Sequence, residues 1–156
     1  MRSAATMAGA LGAGVVGGVF FAFSSFVMPA LERLSAPDGI KAMQSINVTA
    51  ERPAFMVAFM GTTVLALYLG VRGALDWGDR RATLLVAGSA LYLVGAFLLT
   101  VAHNVPLNDQ LATVNPSAAD AAARWQHFLD GWNWANHLRG AASLGAAAAY
   151  VGAVLT

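Results

Sequence analysis

The chain reads as an all-α protein: a bundle of four transmembrane helices, with short amphipathic helices in the 1–2 and 3–4 connectors. Three observations predict this. First, four long apolar stretches recur, at Ser3–Leu31, Pro53–Val71, Ala82–Ala102 and Gly140–Thr156. A bilayer core is crossed by about 20 mostly apolar helical residues, and these stretches meet that length, the last by borrowing Trp132–Arg139. Second, 58% of the residues are apolar and 11% charged, against roughly 45–50% and about 25% in soluble domains. Third, the chemically versatile side chains gather in two polar connectors, Glu32–Arg52 and His103–Arg139. An even spacing of crossings puts both connectors at one membrane face. With spans near 4–31, 53–74, 82–104 and 132–156, the 156 residues form a single integral membrane domain.

Span one contains no acidic or basic residue and is rich in glycine. Ala10, Gly14, Gly18 and Ala22 recur every fourth residue. Such small-residue faces let helices approach closely in lipid, where packing substitutes for a hydrophobic drive. Span four has a similar stripe at Ala141, Gly145, Ala149 and Ala153, and span three carries Gly88 and Gly95. Packing within one bundle is the simpler use of these faces; a homo-oligomer contact is the other. One Arg followed by an apolar run resembles a signal peptide. The run is too long for a cleaved segment and leads straight into Phe26-Val27-Met28-Pro29, so a true span is expected.

Pro29 and Pro106 stand near the ends of spans one and three. Each lacks an N–H and should disrupt the turn before it, freeing carbonyls near Ser25 and Ala102. Lipid tolerates this only where the backbone faces protein or a wet cavity. After each proline comes an S-x-x-D helix start, Ser35–Asp38 and Ser117–Asp120. Short amphipathic helices should follow, one with Ile40, Met43 and Asn47 on a face, the other with Ala118, Ala122, Trp125 and Leu129. The two halves therefore read as a tandem repeat of span, proline, surface helix and span, and sites tend to form where such halves meet. The short connector Leu75–Arg81 is basic, which favours a multi-pass protein with cytoplasmic termini.

The polar constellation lies around spans three and four. His103, Asn104 and Asn108 close span three; Trp132, Asn133, Trp134, Asn136, His137 and Arg139 open span four. Asn133, Asn136, His137 and Gly140 share one helical stripe; Trp132, Asn136 and Arg139 form another. Such groups are costly against lipid and should turn inward or into the headgroup zone. Asn47, Glu51 and Arg52 approach from the first connector. Trp77 and Trp125 fit interfacial anchors, and His127 a solvated position. His103 or His137 is the expected base. The amides, indoles and Arg139 could hold an oxygen anion in a low-dielectric site. The competing arrangement is a Cu, Fe or Zn site, with His103 and His137 joined by Glu32, Glu51 or Asp109. Net charge +1 gives no basis for nucleic-acid binding, and the absence of cysteine excludes thiolate, Cys-ligated zinc and iron–sulfur chemistry.

At these residues the chain resembles the anthrone oxygenase-like family of small four-helix membrane proteins. The resemblance rests on Phe23-Ser24-Ser25-Phe26-Val27-Met28-Pro29-Ala30-Leu31 and Met43-Gln44-Ser45-Ile46-Asn47. It continues in Asn104-x-Pro106-x-Asn108 and Trp132-x-x-x-Asn136-x-x-Arg139. It implies a membrane oxidoreductase that oxidises an anthrone-like or phenolic substrate with O2, without flavin, haem or nicotinamide. By that reading His103 or His137 removes a proton. Asn104, Asn108, Asn136 and Arg139 hold the oxyanion, Trp132 and Trp134 stack on the ring, and Asn133 and Asn47 complete the binding set. The expected partners are membrane lipid and a lipophilic small molecule. The alternatives are a non-catalytic membrane subunit binding a metal, quinone or lipid, and a small transporter.

Overall fold

Helices cover nearly the whole chain because backbone polar groups in lipid must be satisfied within their own segment. The computed structural model describes residues 2–156, with side chains from residue 4; those of Arg2 and Ser3 lie outside it. Four helices are long and apolar enough to cross a membrane: α1 (Ala4–Glu32), α3 (Pro53–Leu75), α4 (Arg80–Ala112) and α5 (Ala121–Leu155). A shorter helix, α2 (Ala36–Ala50), links the first two. No strand occurs among the described residues. Contacts run α1–α3, α3–α4, α4–α5 and α5–α1, so the bundle closes on itself, with α5 making extensive interfaces to both α1 and α4. The chain is thus all-α, with four apolar helices consistent with a multi-pass membrane protein.

The capping chemistry explains two of the starts. Ser35 Oγ accepts from the Asp38 N–H and donates to the Asp38 carboxylate at 2.6 Å, opening α2. Asp79 accepts the Ala82 N–H at 2.7 Å and opens α4. The expected second surface helix is different. The Ser117 N–H donates to Asn115 Oδ1, and the next helix begins only at Ala121. It then runs unbroken into span four, because nothing between Ala121 and Leu155 interrupts it. The amphipathic stretch is therefore the opening of α5, and its buried face is Ala121, Trp125, Phe128, Leu129 and Trp132, while Ala122 is exposed.

The prolines widen their helices without ending them. The Met28 N–H reaches back five residues to the Phe23 carbonyl, and the Val105 N–H reaches the Thr100 carbonyl in the same way. Each five-residue turn immediately precedes a proline, whose missing N–H leaves the usual four-residue ladder incomplete. The same device thus recurs in both halves.

Two cores result. One fills the bundle where the four long helices touch, around Val16, Phe59, Leu69, Tyr92 and Tyr150. The other forms where α2 lies across the ends of α1, α4 and α5, around Met28, Ile40, Met43, Leu111 and Trp125. Small residues close the first core, though not in the register expected on α1. Gly14 and Gly18 have open space where a side chain would point. The inward line runs one residue earlier, through Gly9, Ala13, Val16 and Phe20, because the larger inward residues set the helix rotation. On α4, Gly88 does abut α5, where a Cβ would come within 2.9 Å of the Tyr150 ring. In the second core Trp125 is buried, at 4% exposure, against Gly39 of α2, so it is a packing residue and not an interfacial anchor. Trp77 is exposed.

A Cβ on Gly39 would lie 2.8 Å from the Trp125 indole. Gly39→Ala should therefore lower stability by about 1–3 kcal/mol through overpacking. Gly14→Ala and Gly18→Ala should be neutral or stabilising, and thermal unfolding of the purified protein in detergent compares them.

Candidate functional site

A cavity of about 450 Å³ lies at the seam between the two cores. The widened turns help to shape it, since Phe23 and Thr100 begin them and both line it. Val19 and Phe20 of α1 and Phe55 of α3 complete its apolar side. Met43, Ile46 and Asn47 of α2 cover it with Ser45 and Thr49, while Asn108 of α4 and Trp132 and Arg139 of α5 add further polar groups.

Arg139 is the dominant group. It is 4% exposed. Nη1 donates to Thr100 Oγ1 at 3.1 Å and Nη2 to Asn136 Oδ1 at 2.9 Å. The Thr100 hydroxyl gives its own proton to the Ala96 carbonyl at 2.7 Å, which leaves its lone pairs for the guanidinium. Aromatic faces flank the cation, with the guanidinium carbon 4.4 Å from the Phe20 ring centre and 5.0 Å from that of Trp132. Nε is buried with no partner. Every Asp and Glu in the chain is exposed, and the ion pairs among the described residues join Lys41 to Asp38, Arg72 to Asp76 and Arg124 to Asp120. Arg139 is thus a desolvated cation with only neutral neighbours. Removing such a charge from water costs several kcal/mol unless an anion compensates it.

Asn136, itself fully buried, sets the guanidinium. Its Nδ2 donates to the Phe20 carbonyl and to Ser24 Oγ, each at 2.8 Å, so its Oδ1 must face Arg139. Ser24 Oγ also lies 2.8 Å from His137 Nδ1. As the hydroxyl oxygen already accepts from Asn136, its proton is available to a neutral His137. On the other side, the Trp132 indole N–H donates to Asn108 Oδ1 at 3.0 Å, and its ring packs against Phe23 and Phe128.

The remaining expected site residues stand elsewhere. Neither His103 nor His137 lines the cavity. His103 Nε2 is 3.0 Å from the Gly131 carbonyl and its ring packs on Trp134, 5.0 Å between centres. His137 is exposed and touches the buried network only through Ser24. The expected convergence of two imidazoles in one dry cavity is therefore absent: a 35-residue helix spreads its side chains around the axis, and His137 and Arg139 leave on different sides. Trp134 is 48% exposed, and Asn133 lies outside the cavity lining. Asn104 is fully buried and donates to the Trp132 carbonyl at 3.3 Å, leaving its own Oδ1 without a partner. Among the described residues, no three His, Asp or Glu side chains come together as a metal set. His103, His137, Glu32, Glu51 and Asp109 therefore do not assemble as a ligand group.

A family model described as anthrone oxygenase matches residues 54–149, more than half of the chain. The chain belongs to the anthrone oxygenase family. The matched segment holds α3, α4 and most of α5, and so carries Thr100, Asn108, Trp132 and Arg139 of the cavity. No curated protein and no solved structure matches the chain.

Three residues of the Arg139 network are not expected from the sequence: Ser24, Phe20 and Thr100. Thr100 carried a signal, as a hydroxyl in an otherwise apolar run. Ser24 sits in the quoted Phe23–Leu31 motif, but its partners lie more than a hundred residues away.

A second cleft, of about 390 Å³, opens between the end of α4 and the start of α5, beside His127. Its charged groups satisfy each other: the Arg124 guanidinium hydrogen-bonds the Asp120 carboxylate at 2.6 Å and holds it below the usual carboxylate range. It lacks the buried, unpaired donors of the Arg139 cavity.

A buried cation without a counter-ion costs stability. Arg139→Met should leave the ligand-free protein within about 1 kcal/mol of the parent, or more stable, because relief of desolvation offsets two lost hydrogen bonds. Thermal unfolding checks this; a loss of 3 kcal/mol or more would make Arg139 a structural residue.

Proposed function

We propose that the protein is a membrane-bound oxygenase. It acts on a lipophilic phenolic or anthrone-like substrate with O2, by stabilising the substrate's anion in the Arg139 cavity. The observation that carries this reading is the desolvated guanidinium without a carboxylate, facing a cavity whose other walls are largely apolar and aromatic. The family match supports the class of reaction.

In this reading the substrate enters as a neutral, flat ring system. Phe20, Phe23 and Trp132 receive its faces, and its oxygen approaches Arg139. A positive charge in a low-dielectric site favours an enolate or phenolate far more than it would in water. The benzylic C–H of an anthrone is thereby acidified, and its proton leaves to solvent, since no His, Asp or Glu lines the cavity. The carbanion form then transfers an electron to O2, and recombination makes a C–O bond. The hydroperoxide takes up a proton and loses water, leaving a carbonyl. In sum CH2 and O2 become C=O and H2O, with the four electrons of the ring carbon reducing one O2. His137 contributes through Ser24 and Asn136, as a group that positions Arg139. We also take the termini as cytoplasmic, because Arg80 and Arg81 open α4 directly after the short α3–α4 connection; the cavity then opens toward the opposite face.

Oxygen uptake with an anthrone substrate, measured on purified protein, tests the reading. Arg139→Gln should lower kcat/KM by roughly 10²–10³-fold, as loss of an oxyanion donor does. His103→Ala and His137→Ala should keep the rate within about tenfold. Substrate binding without oxygen uptake would instead indicate a non-catalytic quinone- or lipid-binding subunit. Uptake of unchanged substrate into proteoliposomes would indicate a transporter.

A further inference from the structure

Two donors that line the same cavity are buried with no acceptor: Arg139 Nε on α5 and Asn47 Nδ2 on α2. They differ in kind. Arg139 brings charge, and its Nη atoms are already engaged by Thr100 and Asn136. Asn47 brings a neutral amide, and nothing on its own helix or on α4 accepts from it. A buried N–H left unpaired is unfavourable, and an acceptor brought by a ligand in the cavity would satisfy it.

Asn47 is also held in place. On α2, Gln44 donates from Nε2 to the Leu111 and Val114 carbonyls at 2.9 and 3.0 Å, tying the helix to the end of α4. Trp125 packs on Gly39 one turn earlier. Met43 is 1% exposed and anchors the same face. The amide therefore projects from a docked helix, and its position relative to Asn108 and Trp132 is set by packing.

We propose that Asn47 is a specificity-determining residue. Its Nδ2 donates to a second, neutral oxygen of the ligand, separate from the ionised oxygen at Arg139. The preferred ligand is then a planar, lipophilic anion that also carries a carbonyl or hydroxyl at a distance from its charge. The inference rests on the reading above, that the cavity is the substrate site. A site built around a hydrogen bond discriminates against analogues lacking the acceptor, because its own donor is then stranded.

Two probes separate the roles: anthraquinone-2-carboxylate and anthracene-2-carboxylate. Both are anionic at neutral pH and share one ring outline, and only the first carries ring carbonyls. Binding to the purified full chain is read from quenching of tryptophan fluorescence. The parent should prefer the quinone by about tenfold, the worth of one hydrogen bond. Asn47→Leu should abolish that preference by weakening the quinone alone, and Asn47→Ser should do the same should the leucine variant fold poorly. Arg139→Met should weaken both probes. If the Asn47 variants weaken both probes equally, or neither, while Arg139→Met weakens both, the inference is overturned and the substrate cavity stands. If Arg139→Met changes neither, the cavity reading fails and the inference with it.

Discussion

One constraint organises this molecule: a guanidinium must be held inside a hydrophobic bundle without a carboxylate. Everything near Arg139 addresses that cost. Thr100 and Asn136 take two of its N–H groups, and the Phe20 and Trp132 faces supply electron density that lipid could not. These contacts neutralise none of the charge. They leave Nε free and the site cationic, so an anion is stabilised there by a field already in place and requiring no reorganisation.

The arrangement explains the division of the bundle into a tight half and an open half. In the tight half, glycine and alanine bring helices together, and Ser89 pairs with Tyr150 and Tyr92 with the Phe59 carbonyl, while the buried Ser143 hydroxyl has no partner. In the open half, Pro29 and Pro106 each follow a five-residue turn in α1 and α4; a longer stretch of such turns, Leu91–Leu98, lies in the tight half and precedes no proline. The turns of the open half begin at Phe23 and Thr100, two residues that line the cavity. Pro29 and Pro106 themselves do not line it.

How much of this was legible in the sequence depends on what each feature rests on. The four spans follow from hydropathy, which is local, and so were readable. The polar cluster was readable because arginine and amides inside a span are costly and must be explained. The phase of α1 was not. Small residues every fourth position fit the inner or the outer face, and the inward placement of Val16 and Phe20 decided between them. The placement of the histidines was not legible either, for a similar reason. Their chemistry suits a base, but sequence spacing gives only angles about one helix axis. Whether a side chain meets a cavity depends on the partner helix, and Ser24, the residue that joins His137 to the buried network, lies 113 positions away. Ala121–Leu155 was read as two elements because its amphipathic and apolar parts differ in composition, yet composition does not stop a helix when no proline or glycine turn intervenes.

The location of α2 gives the site its last property. Two of its anchoring residues, Gln44 and Gly39, fasten it to α4 and α5, the helices that carry Asn108, Trp132 and Arg139. The roof of the cavity is therefore registered to the polar wall, whereas Phe20, Phe23 and Phe55 come from α1 and α3. Polar recognition tolerates little misplacement, since a hydrogen bond weakens steeply with angle and distance. Apolar contact is non-directional and forgives more. The polar wall is in turn tied to α1, since Asn136, which sets the Arg139 guanidinium, donates to the Phe20 carbonyl and to Ser24.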